Sequence, residues 1–291
     1  MRFIINADDY GLSRGITDKI LDAFDHGALS GTSIIANGNA FDYAIAEYKK
    51  REGLRLSVHL NLVEGRPILP WNEVSMLTND EGFFCHTFQA LWWHYLKAAS
   101  KERAIFREQI RKELTAQICR VQQCFDRAFK INIDSHLHYH LLPFVFEILI
   151  DLHHEFRFSY IRLPQERFFF IAENFHSLKN YVSLNPLKNG LLNFLSMRNR
   201  KLILENKIDT CAHFVGVLFS GKMTESVVRS ALSKIRFPQD NDQICEILFH
   251  PGRALESEQG MRSAHYSPWR QTEFETLKSD SFQRFVKTLQ N

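Results

Sequence analysis

Glycine and proline are scarce, at 13 and 8 of 291 residues, which excludes collagen-like and low-complexity chains. Cysteine is scarce too. Cys85, Cys119, Cys124, Cys211 and Cys245 form no CxxC pair, and an odd number scattered through a long chain is not a disulfide framework, so a reducing compartment is expected. Neither sign of charge dominates: 36 Lys and Arg against 33 Asp and Glu leave +3, which gives no reason to expect a nucleic-acid partner. No run of about 18 uncharged residues is present to cross a membrane. The start, MRFIINADDYG, meets two aspartates by residue 9, unlike a signal peptide, so a soluble cytoplasmic protein is expected. There is no internal repeat and no linker rich in Gly, Ser or Pro.

What remains is a chain with 45% hydrophobic residues, enough for a large core, plus 25 phenylalanines and 13 histidines. Short β-rich runs recur at residues 2–6, 32–36, 54–60, 131–137, 159–163, 209–217 and 244–249. They do not alternate in polarity, and strands without a wet face belong in a sheet covered on both sides, usually parallel with helical crossovers. Between them, Ile110, Leu114, Ile118, Val121 and Phe125 recur at steps of three and four, which predicts an amphipathic helix over 101–130. Shorter helices are predicted over 14–28 and 39–51. This alternation makes an α/β protein, either a doubly wound sheet or a barrel, in one domain. The stretch 165–206 reads as an irregular, lid-like insertion. Its Phe168, Phe169, Phe170, Leu191, Leu192, Phe194 and Leu195, with Arg198, Arg200 and Lys201, fit either core beneath a lid or an interfacial patch.

Asp8, Asp9, His59, His136, Arg162 and His250 each fall at the C-terminal end of a predicted strand, where α/β folds assemble their sites. Adjacent aspartates at a strand end imply either a cation or separate roles, unless one simply caps the following helix. In an extended DSHLHYH segment, His136, His138 and His140 would share one face, as imidazole ligands should. Imidazole with carboxylate suits a divalent transition metal with an open position for water, the equipment of a hydrolase. Arg162 is read either as binding a substrate oxygen or as pairing with a carboxylate.

The series NADDYGLS, VHLNLVEGRP, DSHLHYHLLP, YIRLPQE, FVGVLFSGKMT and EILFHPG, in that order over residues 2–277, resembles the YdjC-like carbohydrate deacetylase family, the ChbG and HpnK group. The resemblance implies a distorted β/α barrel in which one divalent ion, magnesium or zinc, serves removal of acetyl from an N-acetylated oligosaccharide or glycolipid. It assigns Asp9, His59 and His136 as metal ligands, Asp8 as general base and His250 as general acid. His138, His140, Arg162 and Asn61 fall to substrate binding or to support of the ligands. A homodimer and peripheral membrane contact through 165–206 are compatible with it. The rival readings are a barrel hydrolase of another glycan bond, glycosidase or phosphoesterase, and a non-catalytic sugar- or metal-binding descendant.

Overall fold

A computed structural model describes residues 1–171, 180–236, 243–255, 257–258 and 262–290. Seven strands form one parallel sheet: β1 (Arg2–Tyr10), β2 (Gly31–Ile34), β3 (Arg55–Leu60), β4 (Asn132–Ser135), β5 (Tyr160–Ile161), β6 (Cys211–Val215) and β7 (Ile244–Phe249). Each matches a predicted run. Their spatial order is β5-β4-β3-β2-β1-β7-β6. Eight of the nine residues of β1 and all of β7 are buried, as expected for strands covered on both faces. The segment leading into β6 meets β5 at one isolated rung, where Ile161 N donates to Asp209 O at 3.0 Å and Asp209 N to Ser159 O at 3.3 Å. The sheet therefore curls into a distorted barrel rather than lying open.

Among the described residues the helices are α1 (Arg14–Asp25), α2 (Phe41–Tyr48), α3 (Phe88–Lys97), α4 (Ser100–Gln122), α5 (Pro143–Phe156), α6 (Asn185–Glu205), α7 (Glu225–Leu232), α8 (Trp269–Lys278) and α9 (Asp280–Gln290). The expected helix over 101–130 stops at Gln122, and Phe125 stacks on Phe129 beyond it. In α4, Glu113 and Gln117 are buried among the apolar residues. Glu113 accepts from Ile68 N and Leu69 N, and Gln117 bonds both backbone groups of Asn61, so this helix braces the segment after β3.

The stretch 165–206 differs from expectation. Residues 172–179 lie outside the described residues, but 185–205 form the regular helix α6. Its buried positions Asn189, Leu192, Leu195, Ser196, Asn199 and Ile203 keep helical spacing, yet half are polar, which hid the period from an apolar reading. Asn189 donates to Glu166 and Asn199 to the Leu141 carbonyl. The apolar residues divide: Phe169, Leu192 and Leu195 are core, whereas Phe168, Phe170 and Phe194 are exposed. Arg198 and Lys201 are exposed, while Arg200 is spent on Gln165 and the Cys211 carbonyl. All five cysteines are free thiols. Among the described residues no helix is long and apolar enough to cross a membrane.

Candidate metal centre

At the C-terminal ends of the strands lies a cleft of about 310 Å³, lined by Asp8, Asp9, His59, His136, His138 and His250 among others. Successive side chains of a regular strand point to opposite faces, so neighbours 8 and 9 should not both reach it. The pairing of β1 with β2 slips between Ala7 and Tyr10, and Asp9 sits in the left-handed region at φ 73°. That bulge turns both carboxylates toward the cleft.

Asp8 is gripped by a fully buried arginine: Arg162 Nη1 donates to Oδ2 and Nη2 to Oδ1, both at 2.9 Å, while Asn6 donates to Oδ1. The same guanidinium lies 2.8 Å from Asp134 Oδ2 and donates through Nε to Glu246 at 2.8 Å. Asp9 has a different partner, Arg270, whose Nη2 donates to Oδ2 at 2.9 Å. Burial alone would raise the Asp9 carboxyl, but Arg270 and then His136 hold it well below the usual carboxylate range.

His59 on β3 faces Asp134 across the β3–β4 register. Its Nδ1 lies 2.6 Å from Asp134 Oδ1, an arrangement that puts the proton on Nδ1 and aims the Nε2 lone pair at the cleft, 3.9 Å from Asp9 Oδ1. His136 Nδ1 lies 3.0 Å from the same Asp9 oxygen and its Nε2 lies 3.3 Å from Glu64. Burial would lower this imidazole, but Asp9 and Glu64 outweigh it and push it up to about 9.

One ligand atom from each of Asp9, His59 and His136 falls within 4.8 Å of the others. Ligand atoms around a divalent ion stand roughly 3–4 Å apart when each is ~2.0–2.2 Å from it, so a small contraction suffices. Two neighbouring trios, Glu64–His136–His265 and Asp8–His59–Asp134, are equally compact. Their carboxylates are already spent: Glu64 accepts from Arg262 N and faces His265, and Asp8 and Asp134 are tied to Arg162. Asp9 Oδ1, by contrast, faces only the His136 and His59 imidazoles, and His138 Nδ1 and His250 Nδ1 are buried without a partner among the described residues. Around the cleft the buried carboxylates Asp8, Asp9, Glu64, Asp134, Glu246 and Glu273 outnumber the buried guanidiniums Arg162 and Arg270. A carboxylate oxygen facing two imidazoles in an acid-rich cleft is a donor set that a divalent cation would bridge, and the residues fit one.

The histidines of DSHLHYH do not share a face, contrary to expectation. The strand ends at Ser135 and the chain enters a tight 3-10 turn over His136–Leu141, with Leu137 at φ 53° and His138 at φ 62°. The rings fan apart. His138 lines the cleft beside Phe214, and burial holds it well below the usual histidine range. His140 turns inward, Nδ1 on Ser135 Oγ at 2.6 Å and Nε2 on the Arg162 carbonyl at 2.8 Å, leaving no nitrogen for substrate. Arg162 is engaged in the carboxylate pairing and does not line the cleft. Asn61 is equally spent, donating to Asn37 and the Glu64 carbonyl and accepting from Val63 and Glu64. His250 does line the cleft, and its backbone N–H is anchored on Glu273. Burial pushes its imidazole down to about 4, against the pull of Asp9 and Asp8.

Sequence reasoning missed Asp134, Glu64, Arg270 and His265. Asp134 and Glu64 sit within quoted motifs and were legible as polar residues beside predicted ligands, whereas Arg270 and His265 carry no local signal. Arg162→Met should leave three buried carboxylates unbalanced and destabilise the fold by about 3–5 kcal/mol. Urea unfolding checks this, and an unchanged midpoint would show the pairing to be dispensable.

The family profile described as YdjC-like protein matches residues 2–288. A carbohydrate deacetylase of Mus musculus is 31% identical over 168 residues, covering 57% of this chain and 52% of that protein. A chitooligosaccharide deacetylase of Serratia marcescens is 30% identical over 146 residues, covering 50% and 53%. The chain thus spans about half the length of the curated relatives it matches. A solved structure from Enterococcus faecalis, described as a candidate cellobiose-phosphate cleavage protein, superposes with a TM-score of 0.69 over 99% of this chain and 94% of that one. At 20% identity it shares the fold.

Proposed function

The chain belongs to the YdjC-like protein family, and from that premise we propose that it is a metal-dependent hydrolase removing the acetyl group from an N-acetylated sugar. The deacetylase names of the mouse and Serratia relatives support the reaction class. The observation that carries the reading here is the convergence of one ligand atom each from buried Asp9, His59 and His136, all within 4.8 Å of one another, on one acid-rich cleft.

Asp9, His59 and His136 would hold the ion, and two imidazoles with one carboxylate suit zinc better than magnesium. Bound there, a divalent ion supplies Lewis-acid polarisation of the acetamide carbonyl and lowers the pKa of water. The protein's own groups do the rest. Asp8, held in place by Arg162, takes a proton from the attacking water. His250, facing the cleft with Nδ1 uncommitted, gives a proton to the departing nitrogen. Its depressed pKa makes it a strong acid once protonated, and the neighbouring Asp8 and Asp9 carboxylates favour uptake of that proton. Arg162, His140 and Asn61 position the groups that line the cleft instead of touching the sugar.

The glycosidase alternative needs one carboxyl held protonated near the bond. Of the two carboxylates that line the cleft, Asp8 accepts from Arg162 through both oxygens, and Asp9, despite its burial, is held well below the usual carboxylate range by Arg270 and then His136. Purified protein should therefore release acetate from N-acetylated mono- or disaccharides, lose that activity to a chelator and regain it with added divalent metal. Sugar cleavage without acetate release, indifferent to chelator, would favour the glycosidase.

A further inference from the structure

A second cavity, of about 380 Å³, adjoins the metal cleft. Tyr139 and Leu192, both buried, form its floor, and Phe88 on α3 faces Leu187 and Leu191 on α6 across it. The apolar surface continues outward past Phe88 and Leu191 to Trp92, Trp93 and Leu96. Leu184 at the rim is 79% exposed and Leu187 is 72% exposed. Single exposed leucines are ordinary, but a continuous apolar groove leading out of a polar catalytic cleft marks a binding surface.

The junction between cleft and groove is built from the three residues that line both, Leu137, Lys188 and Arg262. Lys188 is half-buried, Arg262 is exposed, and neither side chain has a hydrogen bond or ion pair with a described residue. Burial lowers the Lys188 ammonium, partly offset by the Glu166 and Asp8 carboxylates, neither of which reaches it in an ion pair. Two cations with no ion pair to a described residue, at the mouth of an apolar groove, complement an oxyanion carried on an apolar chain.

We infer that the substrate is amphiphilic: an N-acetylated sugar in the metal cleft, joined through an oxyanion held by Lys188 and Arg262 to an apolar moiety lying between α3 and α6. This rests on the deacetylase reading for the sugar alone. The groove and its cations are tested without any sugar, by isothermal titration of octyl phosphate, inorganic phosphate and octyl glucoside into the full chain. Octyl phosphate should bind at least about tenfold more tightly than either comparator, because only it offers both the anion and the chain. Leu187→Glu and the double variant Lys188→Met, Arg262→Met should each weaken it by about tenfold or more. Octyl phosphate binding no tighter than inorganic phosphate, or binding both variants undiminished as it would through the metal alone, overturns the inference. Acetate release is scored separately on chitobiose and on the octyl phosphodiester of N-acetylglucosamine 1-phosphate. Octyl phosphate binding without acetate release from either sugar would sink the deacetylase reading and leave the groove assignment standing. Turnover of chitobiose without octyl phosphate binding would do the reverse.

Discussion

Asp8→Asn is expected to lower kcat for acetate release by about 10²–10⁴-fold while bound metal stays stoichiometric, since removing a general base costs that much. The substitution keeps the shape of the side chain and one acceptor for Arg162, whose charge remains balanced by Asp134 and Glu246. Fold and metal site should therefore survive, which separates loss of the base from collapse of the cleft. A kcat within about threefold of wild type would remove Asp8 from that role. His250→Ala should cost a similar factor through the leaving amine. The two variants differ in pH dependence. His250 acts when protonated, and burial pushes it down to about 4, so its active form is depleted as pH rises and kcat/KM should slope downward on the alkaline side. His250→Ala should abolish that slope, and an alkaline limb identical to wild type would assign the acid role elsewhere.

The seven strands were legible because strands buried on both faces are rich in apolar residues without regular alternation, and β1, β3 and β7 keep that character although Asn6, Ser57 and Glu246 interrupt them. Helix α6 was not, because its inward face carries Asn189, Ser196 and Asn199, whose partners lie in other segments. The same distinction runs through the site. Residues at strand ends declared themselves by position, whereas Arg270 meets Asp9 from 261 residues away, a contact no local pattern encodes. The histidine cluster shows how a correct composition can carry a wrong geometry. Two residues in the left-handed region convert an expected strand into a turn, and His136, His138 and His140 acquire three separate environments. The apolar groove beside the cleft was half visible: its leucines suggested an interface, but only the cavity that α6 and α3 line together shows that they open onto the cleft.

His136→Ala and His59→Ala should each abolish stoichiometric metal binding, the first with a distinctive change in pH dependence. Without an ion, His136 is held between Asp9 and Glu64 and pushed up to about 9, above its ordinary 6.5. A raised folded pKa means that this pairing stabilises the metal-free protein fully below pH 6.5, and that the contribution fades as pH climbs toward about 9. An entering cation must displace the same proton. Metal affinity of the wild type should therefore rise about tenfold per pH unit up to roughly pH 9, with one proton released per ion, readable by titration in buffers of different ionisation enthalpy. His136→Ala should remove both the binding and the proton release. His59→Ala provides the control for folding, because Asp134 retains Arg162 and Ser33 when the imidazole is gone. Elemental analysis of a folded His136→Ala protein that still held one ion per chain would refute the ligand set. His138, which lines the same cleft with an unpartnered Nδ1, would then be the imidazole to replace next.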